Sequence, residues 1–196
     1  MSDSLDEILA ELEQFGRTND LAVSERSQRM LNITHDTGEF LAVLIRAMRA
    51  QRVLEIGTSN GYSTLWLASA ARAIEGSVTT VESSDFKIEL AAKNFARSGL
   101  APLIVQIHDD AGHVLAQTGD AAFDLIFLDS ERGEYPGWWP EIKRILRPGG
   151  LLVVDNAVSH AAELAGFMDS VRADTDFMTS LVPIGNGEFL ATRSGS

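Results

Sequence analysis

A short apolar run, Val53-Leu54-Glu55-Ile56, breaks into Gly57-Thr58-Ser59-Asn60-Gly61, and one strand-length segment later the chain reads Val81-Glu82. Gly57 and Gly61 have no side chain, so the backbone can turn tightly there and come close to a ligand. Glu82, at the end of its strand, can accept hydrogens from two ribose hydroxyls. Together these residues describe a pocket for an adenosyl cofactor, at the carboxyl ends of strands where open α/β sheets bind ligands. The dinucleotide fingerprint Gly-x-Gly-x-x-Gly, which seats a pyrophosphate on a helix N-terminus, is absent. A nicotinamide or flavin enzyme then has only the general fold in its favour.

The elements that must carry this pocket are legible in the hydropathy pattern. Strand-like runs at Arg52–Ile56, Ser77–Val81, Leu103–Ile107, Asp124–Leu128 and Leu151–Val154 are separated by helix-length segments. That alternation predicts a Rossmann-like parallel sheet with helices on both faces. Ahead of it, Leu5, Ile8, Leu9, Leu12 and Phe15 recur at helical spacing, with packing on the chain's own core, a dimer contact or an active-site lid as ways to cover the stripe. A second helix is expected near Thr37, with Asp36 and Glu39 at capping-box spacing. After a helix around Ala161–Arg172 come Thr179–Ile184, Gly185-Asn186-Gly187 and Glu188–Thr192, a C-terminal antiparallel hairpin with Asn-Gly as its turn signal. Arg193–Ser196 reads as a frayed end.

At 196 residues and 45% hydrophobic content the chain suits one domain, a helical segment over 1–35 and a core over 36–196. A formal net charge of −12 would repel a phosphate backbone, so nucleic acid is excluded as a partner and a small molecule favoured. There is no cysteine, hence no disulfide and no thiolate metal site. The acidic N-terminus, Met1-Ser2-Asp3-Ser4-Leu5-Asp6-Glu7, lacks the flank and apolar run of a signal peptide, and no stretch is long enough to span a bilayer. The expectation is a cytoplasmic protein without membrane attachment.

Glu-x-Gly-x-x-x-Gly after the first strand of such a sheet, joined to Glu82, His108-Asp109-Asp110-Ala111 and Leu128-Asp129, resembles the class I S-adenosylmethionine-dependent methyltransferases. More specifically, Thr37-Gly38-Glu39-Phe40-Leu41, the run Glu55 to Thr64, Phe123 to Asp129, Tyr135, and Gly149-Gly150-Leu151-Leu152-Val153-Val154-Asp155-Asn156 are similar to the metal-dependent catechol and caffeoyl-CoA O-methyltransferases. The resemblance covers roughly Asn32 to Arg193. It implies that Glu55, Gly57, Ser59, Gly61 and Ser63 surround the methionine part of the cofactor, that Glu82 holds the ribose, and that Asp110 and Ala111 border the adenine. Asp129 and Tyr135 fall among the cofactor contacts as well. It further implies a divalent cation on Asp129, Asp155 and Asn156, a hard oxygen-only set that suits magnesium, with calcium or manganese as substitutes. On the residues alone, Asp155 could equally cap the following segment while Asn156 takes a left-handed turn. The implied reaction is methyl transfer to a hydroxyl of a small, aromatic acceptor. Dimers are common among such enzymes, so a homodimer is compatible.

The pattern departs where the catechol-type enzymes carry a lysine three residues after the first metal aspartate: here that residue is Arg132. A guanidinium stays protonated and cannot act as a general base. Arg132 could clamp an anionic group of the substrate or pair with Glu131 or Glu134 at the surface. A bound cation lowers the pKa of a coordinated hydroxyl, so a dedicated base is dispensable; His160, just beyond Asp155-Asn156, is the candidate if there is one, with His35 the weaker alternative. His108 and His113 lack metal-ligand pairing and read as structural. Trp138 and Trp139 open a helix, as core or as an aromatic wall near the cofactor. The rival functions are a metal-independent N- or C-methyltransferase and a non-catalytic protein that binds S-adenosylmethionine or S-adenosylhomocysteine.

Overall fold

The computed structural model describes residues 4–195, leaving Met1–Asp3 of the acidic N-terminus and Ser196 outside the described residues. Its sheet is made of β1 (Arg52–Ile56), β2 (Ser77–Glu82), β3 (Ile104–His108), β4 (Phe123–Leu128), β5 (Leu146–Val154), β6 (Phe177–Val182) and β7 (Glu188–Arg193). The spatial order is β3-β2-β1-β4-β5-β7-β6. The first five strands run parallel; β7 pairs antiparallel with β5, and β6 antiparallel with β7. This is the expected class I methyltransferase fold, with strand order reversing between β1 and β4. The ends of those two strands therefore flank the crevice in which such sheets bind ligands.

Among the described residues seven α-helices cover the sheet: α1 (Leu5–Ala22), α2 (His35–Met48), α3 (Tyr62–Arg72), α4 (Asp85–Ser98), α5 (Ala111–Gln117), α6 (Tyr135–Ile145) and α7 (Ala161–Ala173). Because side chains alternate along a strand, Val53, Leu125, Phe127, Leu151 and Val153 meet α1–α4 through Ile8, Leu41, Ile45, Leu65 and Phe95. Leu54, Ile56, Ile126, Leu128, Leu152 and Val154 meet the opposite layer through Leu115, Ile142, Phe167 and Val171. The α1 stripe is covered by the chain's own core at Ile8, Leu9 and Leu12, while Phe15 stays 41% exposed and outside it. Trp138 and Trp139 pack on the second core, Trp139 edge-on to Phe167 and Phe177 with ring centroids 5.9 and 4.9 Å away. No described helix is long and apolar enough to cross a membrane.

Several boundaries differ from expectation for local reasons. Helix α2 starts two residues early, since Thr34, not Asp36, is its cap and accepts from the Thr37 N–H. Strand β5 begins at Leu146, because Pro148-Gly149-Gly150 is an irregular stretch inside the strand and hides its first half. The hairpin connection is longer than Gly185-Asn186-Gly187, because β6 runs over Phe177–Val182 and not Thr179–Ile184. Val182 pairs with Glu188 across a five-residue connection in which Gly185 and Gly187 take positive φ. Arg193 is not frayed: it pairs with Phe177 in the sheet and donates to the carbonyls of Lys143 and Leu146.

Candidate active site

The turn after β1 is set by two glycines in left-handed conformation, Gly57 at φ 107° and Gly61 at φ 87°. A Cβ on Gly57 would stand 2.1 Å from the carbonyl oxygen of Asp129, so this backbone lies directly against the end of β4. Gly57 N–H donates to the Val81 carbonyl at 3.0 Å and Asp129 N–H to the Ile56 carbonyl at 3.0 Å, tying three strand ends into one floor. Glu82 is oriented by backbone: its carboxylate accepts from the N–H groups of Ser59, Ser83 and Ser84, each at 3.0 Å. Asp110 caps α5 through the His113 N–H, with Ala111 the first residue of that helix. Ser59 Oγ donates to the Met30 carbonyl at 2.6 Å, so the segment before α2 lies along the turn.

Two residues expected to touch the cofactor are instead enclosed. Glu55 has no exposed surface and accepts from the hydroxyls of Ser63, Thr64 and Thr80. Its place is under the turn, and Ser63 points to it rather than outward. Burial, against the pull of those hydroxyls and with a push from Glu82, raises the Glu55 carboxyl to about 7. Tyr135 is likewise buried, its phenol oxygen accepting the Ser130 N–H at 2.7 Å. It props the loop that carries Asp129. Both are positioning residues.

The raised Glu55 carboxyl gives a pH dependence. Between about pH 4.5 and 7 the folded chain keeps this proton while the unfolded chain has lost it, so stability falls as pH rises across that window and is level above it. The share is about 3 kcal/mol, from roughly 1.4 kcal/mol per unit. Urea unfolding at pH 5 and pH 8 should show Glu55→Gln with a flatter profile than the parent by that order; an equal slope would remove Glu55 as its source.

The second half of the site is acidic. Asn156, left-handed at φ 67°, places its side-chain Nδ2 3.1 Å from Asp129 Oδ1 and 2.9 Å from Asp155 Oδ2. The two carboxylates thus converge on one point. Burial first, then Asp155 and Glu55, push the Asp129 carboxyl well above the usual range, with Arg132 pulling the other way. Burial also raises Asp155. Asp155 caps no helix, and the left-handed turn of Asn156 is what brings its amide back between the acids. Among the described residues no three His, Cys, Asp or Glu side chains are gathered as a metal would require, so a cation here rests on two carboxylates and an amide.

Arg132 neither lies at the surface nor pairs with Glu131 or Glu134. Its side chain is 8% exposed and its Nε donates to Glu163 of α7 at 2.8 Å, while Glu131 faces Arg26 at 3.7 Å. His160 is half-buried at the start of α7, its Nδ1 2.9 Å from Ser159 Oγ, and its charge is felt by Asp155. His35 is turned elsewhere: its ring packs edge-on to Trp66 at 5.0 Å, in a cavity of about 390 Å³ lined by α1, α2 and α3. His108 and His113 hydrogen-bond to Ser83 and Asp109.

The sequence reading missed Glu188. This first residue of β7 is fully buried; its Oε1 accepts from Thr37 Oγ1 at 3.1 Å and its Oε2 meets no donor. The antiparallel register, Val154 opposite Phe189, sets it beside Asp155. The signal available was a carboxylate directly after the Gly185-Asn186-Gly187 connection, on a strand that must pair with the one ending in Asp155.

Comparison with known proteins agrees with this geometry. The family model described as O-methyltransferase matches residues 1–194. A curated relative from Mycobacterium sp. (strain JLS), named as an O-methyltransferase, is 32% identical over 204 residues, covering 95% of this chain and 92% of that one. Among solved structures, the O-methyltransferase TomG from Streptomyces achromogenes, involved in tomaymycin synthesis and in complex with SAM, superposes with TM-score 0.81 at 28% identity, over 96% of this chain and 90% of that one. A structure from Klebsiella pneumoniae, also titled as an O-methyltransferase, gives TM-score 0.83 at 26% identity over the same shares. The chain belongs to the O-methyltransferase family, enzymes that transfer a methyl group to oxygen.

Proposed function

We propose that this enzyme moves the methyl group of S-adenosylmethionine to a hydroxyl oxygen of a small, hydroxylated aromatic acceptor, with a divalent cation held by Asp129, Asp155 and Asn156. Magnesium is the first choice, calcium or manganese the substitutes. The observation that carries the cation is the placement of one Asn156 amide between two converging carboxylates, Asp155 buried and Asp129 half-buried. A 180° flip of that amide, which exchanges its nitrogen and oxygen, turns the cluster into three oxygen donors around one point. The donor set therefore fits a hard cation. TomG, solved with SAM, supports the cofactor.

In this reading the carboxylate of Glu82, already oriented by three backbone N–H groups, takes the ribose hydroxyls, and Asp110 and Ala111 border the adenine. The Gly57–Gly61 turn lies along the methionine part, held from beneath by Glu55. The chain's task is to keep acceptor oxygen, methyl carbon and sulfur in line at about 3 Å contact and to exclude water. A bound cation would orient the acceptor and acidify its hydroxyl. Arg132, fixed by Glu163, offsets part of the charge on Asp129 and Asp155 and takes no proton. His160, at the start of α7, is the candidate base if one is used.

Calorimetric titration with S-adenosylhomocysteine tests both halves. Micromolar binding is expected, tightened about 10-fold by magnesium plus a catechol and returned to its starting value by chelator. No binding overturns the cofactor assignment. Binding indifferent to the metal–catechol pair overturns the cation.

A further inference from the structure

The cation reading above accounts for Asp129, Asp155 and Asn156 and leaves one buried group unexplained. Glu188 is fully enclosed, yet one of its carboxylate oxygens meets no donor. A buried carboxyl without a partner is costly, so a chain that keeps one has to be gaining something elsewhere. The β5–β7 register sets Glu188 beside Asp155, and the two carboxyl groups are hydrogen-bonding partners. From the other side Thr37 Oγ1 donates to Glu188, and Thr37 sits in the first turn of α2.

We infer that Glu188 is a positioning residue for the cation: a carboxyl beside Asp155 that fixes the orientation of this ligand. The inference rests on the proposed cation site and concerns a residue outside its three donors. Ligating carboxylates are commonly held by a second layer of hydrogen-bonding groups, and removal of such a group typically weakens metal affinity about 10- to 100-fold. Here the second layer is itself an acid.

The probe is Mn²⁺ alone, with free ion counted by its electron paramagnetic resonance signal as the full-length protein is titrated. Glu188→Leu keeps the volume and removes the group that hydrogen-bonds to Asp155. It should bind Mn²⁺ at least about 10-fold more weakly than the parent. Its metal-free melting temperature should stay within about 3 °C, which a merely structural glutamate would not do. Thr37→Val, which deletes the donor on the far side, should weaken Mn²⁺ in the same direction by up to about 10-fold, and keeps the test alive if the first variant folds poorly. Equal Mn²⁺ affinity in the parent and both variants, with binding lost in Asp155→Asn, would overturn the role of Glu188 and leave the cation site standing. A parent that binds no Mn²⁺ would overturn the cation site and this inference with it.

Discussion

Asp155→Ala is expected to bind S-adenosylhomocysteine as tightly as the parent while turning over a catechol acceptor about 10³-fold more slowly. The size follows from what one preorganised electrostatic partner contributes to a transition state in a water-poor site. The split between binding and turnover follows from position. Asp155 directly follows β5, whereas the residues assigned to the adenosyl group lie at the ends of β1, β2 and β3 and on the turns after them. Loss of the fold is not the expected cause. In the cation-free protein the Asp155 carboxyl is raised by burial and stands beside Asp129 and Glu188, so deleting it removes a crowded acid. The variant should therefore melt no lower than the parent. Normal turnover would end the metal role; loss of S-adenosylhomocysteine affinity would show that the two halves of the site are not separable.

The second large effect is expected at Gly57. Gly57→Ala forces a side chain into φ 107° and drives its Cβ to 2.1 Å from the Asp129 carbonyl oxygen. Neither partner is a flexible side-chain end, so backbone must move. The cost should reach about 3 kcal/mol or more, the range of severe backbone conflicts. Because the displaced carbonyl belongs to Asp129, affinity for S-adenosylhomocysteine should fall by more than about 10-fold in whatever protein still folds. Gly99→Ala is the matched control: its φ is 69°, and nothing lies within 4 Å of the added carbon. It should lose only about 1 kcal/mol, the strain of the left-handed backbone by itself. Urea unfolding of the two variants separates close approach from backbone conformation, and equal losses would discard the contact argument.

The parallel core was readable because its signal is local. Val53, Leu54 and Ile56 are apolar and Gly57 follows directly, and the strand observed has the bounds expected. The helix cap at Thr34 was missed because Asp36 two residues later has the same chemistry; its carboxylate is instead used by the Gly185 N–H, 149 residues away in sequence. The partner of Arg132 was missed for the same reason. Glu131 and Glu134 are neighbours in the chain, but the turn directs the guanidinium inward to Glu163. Glu55 illustrates the opposite limit. Its position in the motif was correct, while its burial under Ser63, Thr64 and Thr80 depends on β2 lying alongside, which spacing does not reveal. What escaped the sequence is the set of contacts that close only once the strands are ordered.

The connection from Val182 to Glu188 holds the start of α2 through Asp36 and the segment after Asp155 through three backbone hydrogen bonds, from Ala157, Val158 and Ser159. It follows that, on the proposed assignments, the acceptor side is finished by a part of the chain synthesised after β1 to β5. A nascent chain stopped before residue 183 has emerged contains β1 to β5, the turns that would bind the adenosyl group, and both aspartates, but lacks Glu188 and the strand that seats it. Domains form largely from the N-terminus onward during synthesis, and contacts spanning some 150 residues are the slowest to close. On the proposed assignments the cofactor's residues are thus all made before the strand that carries Glu188, so the adenosyl half of the site draws no residue from the hairpin.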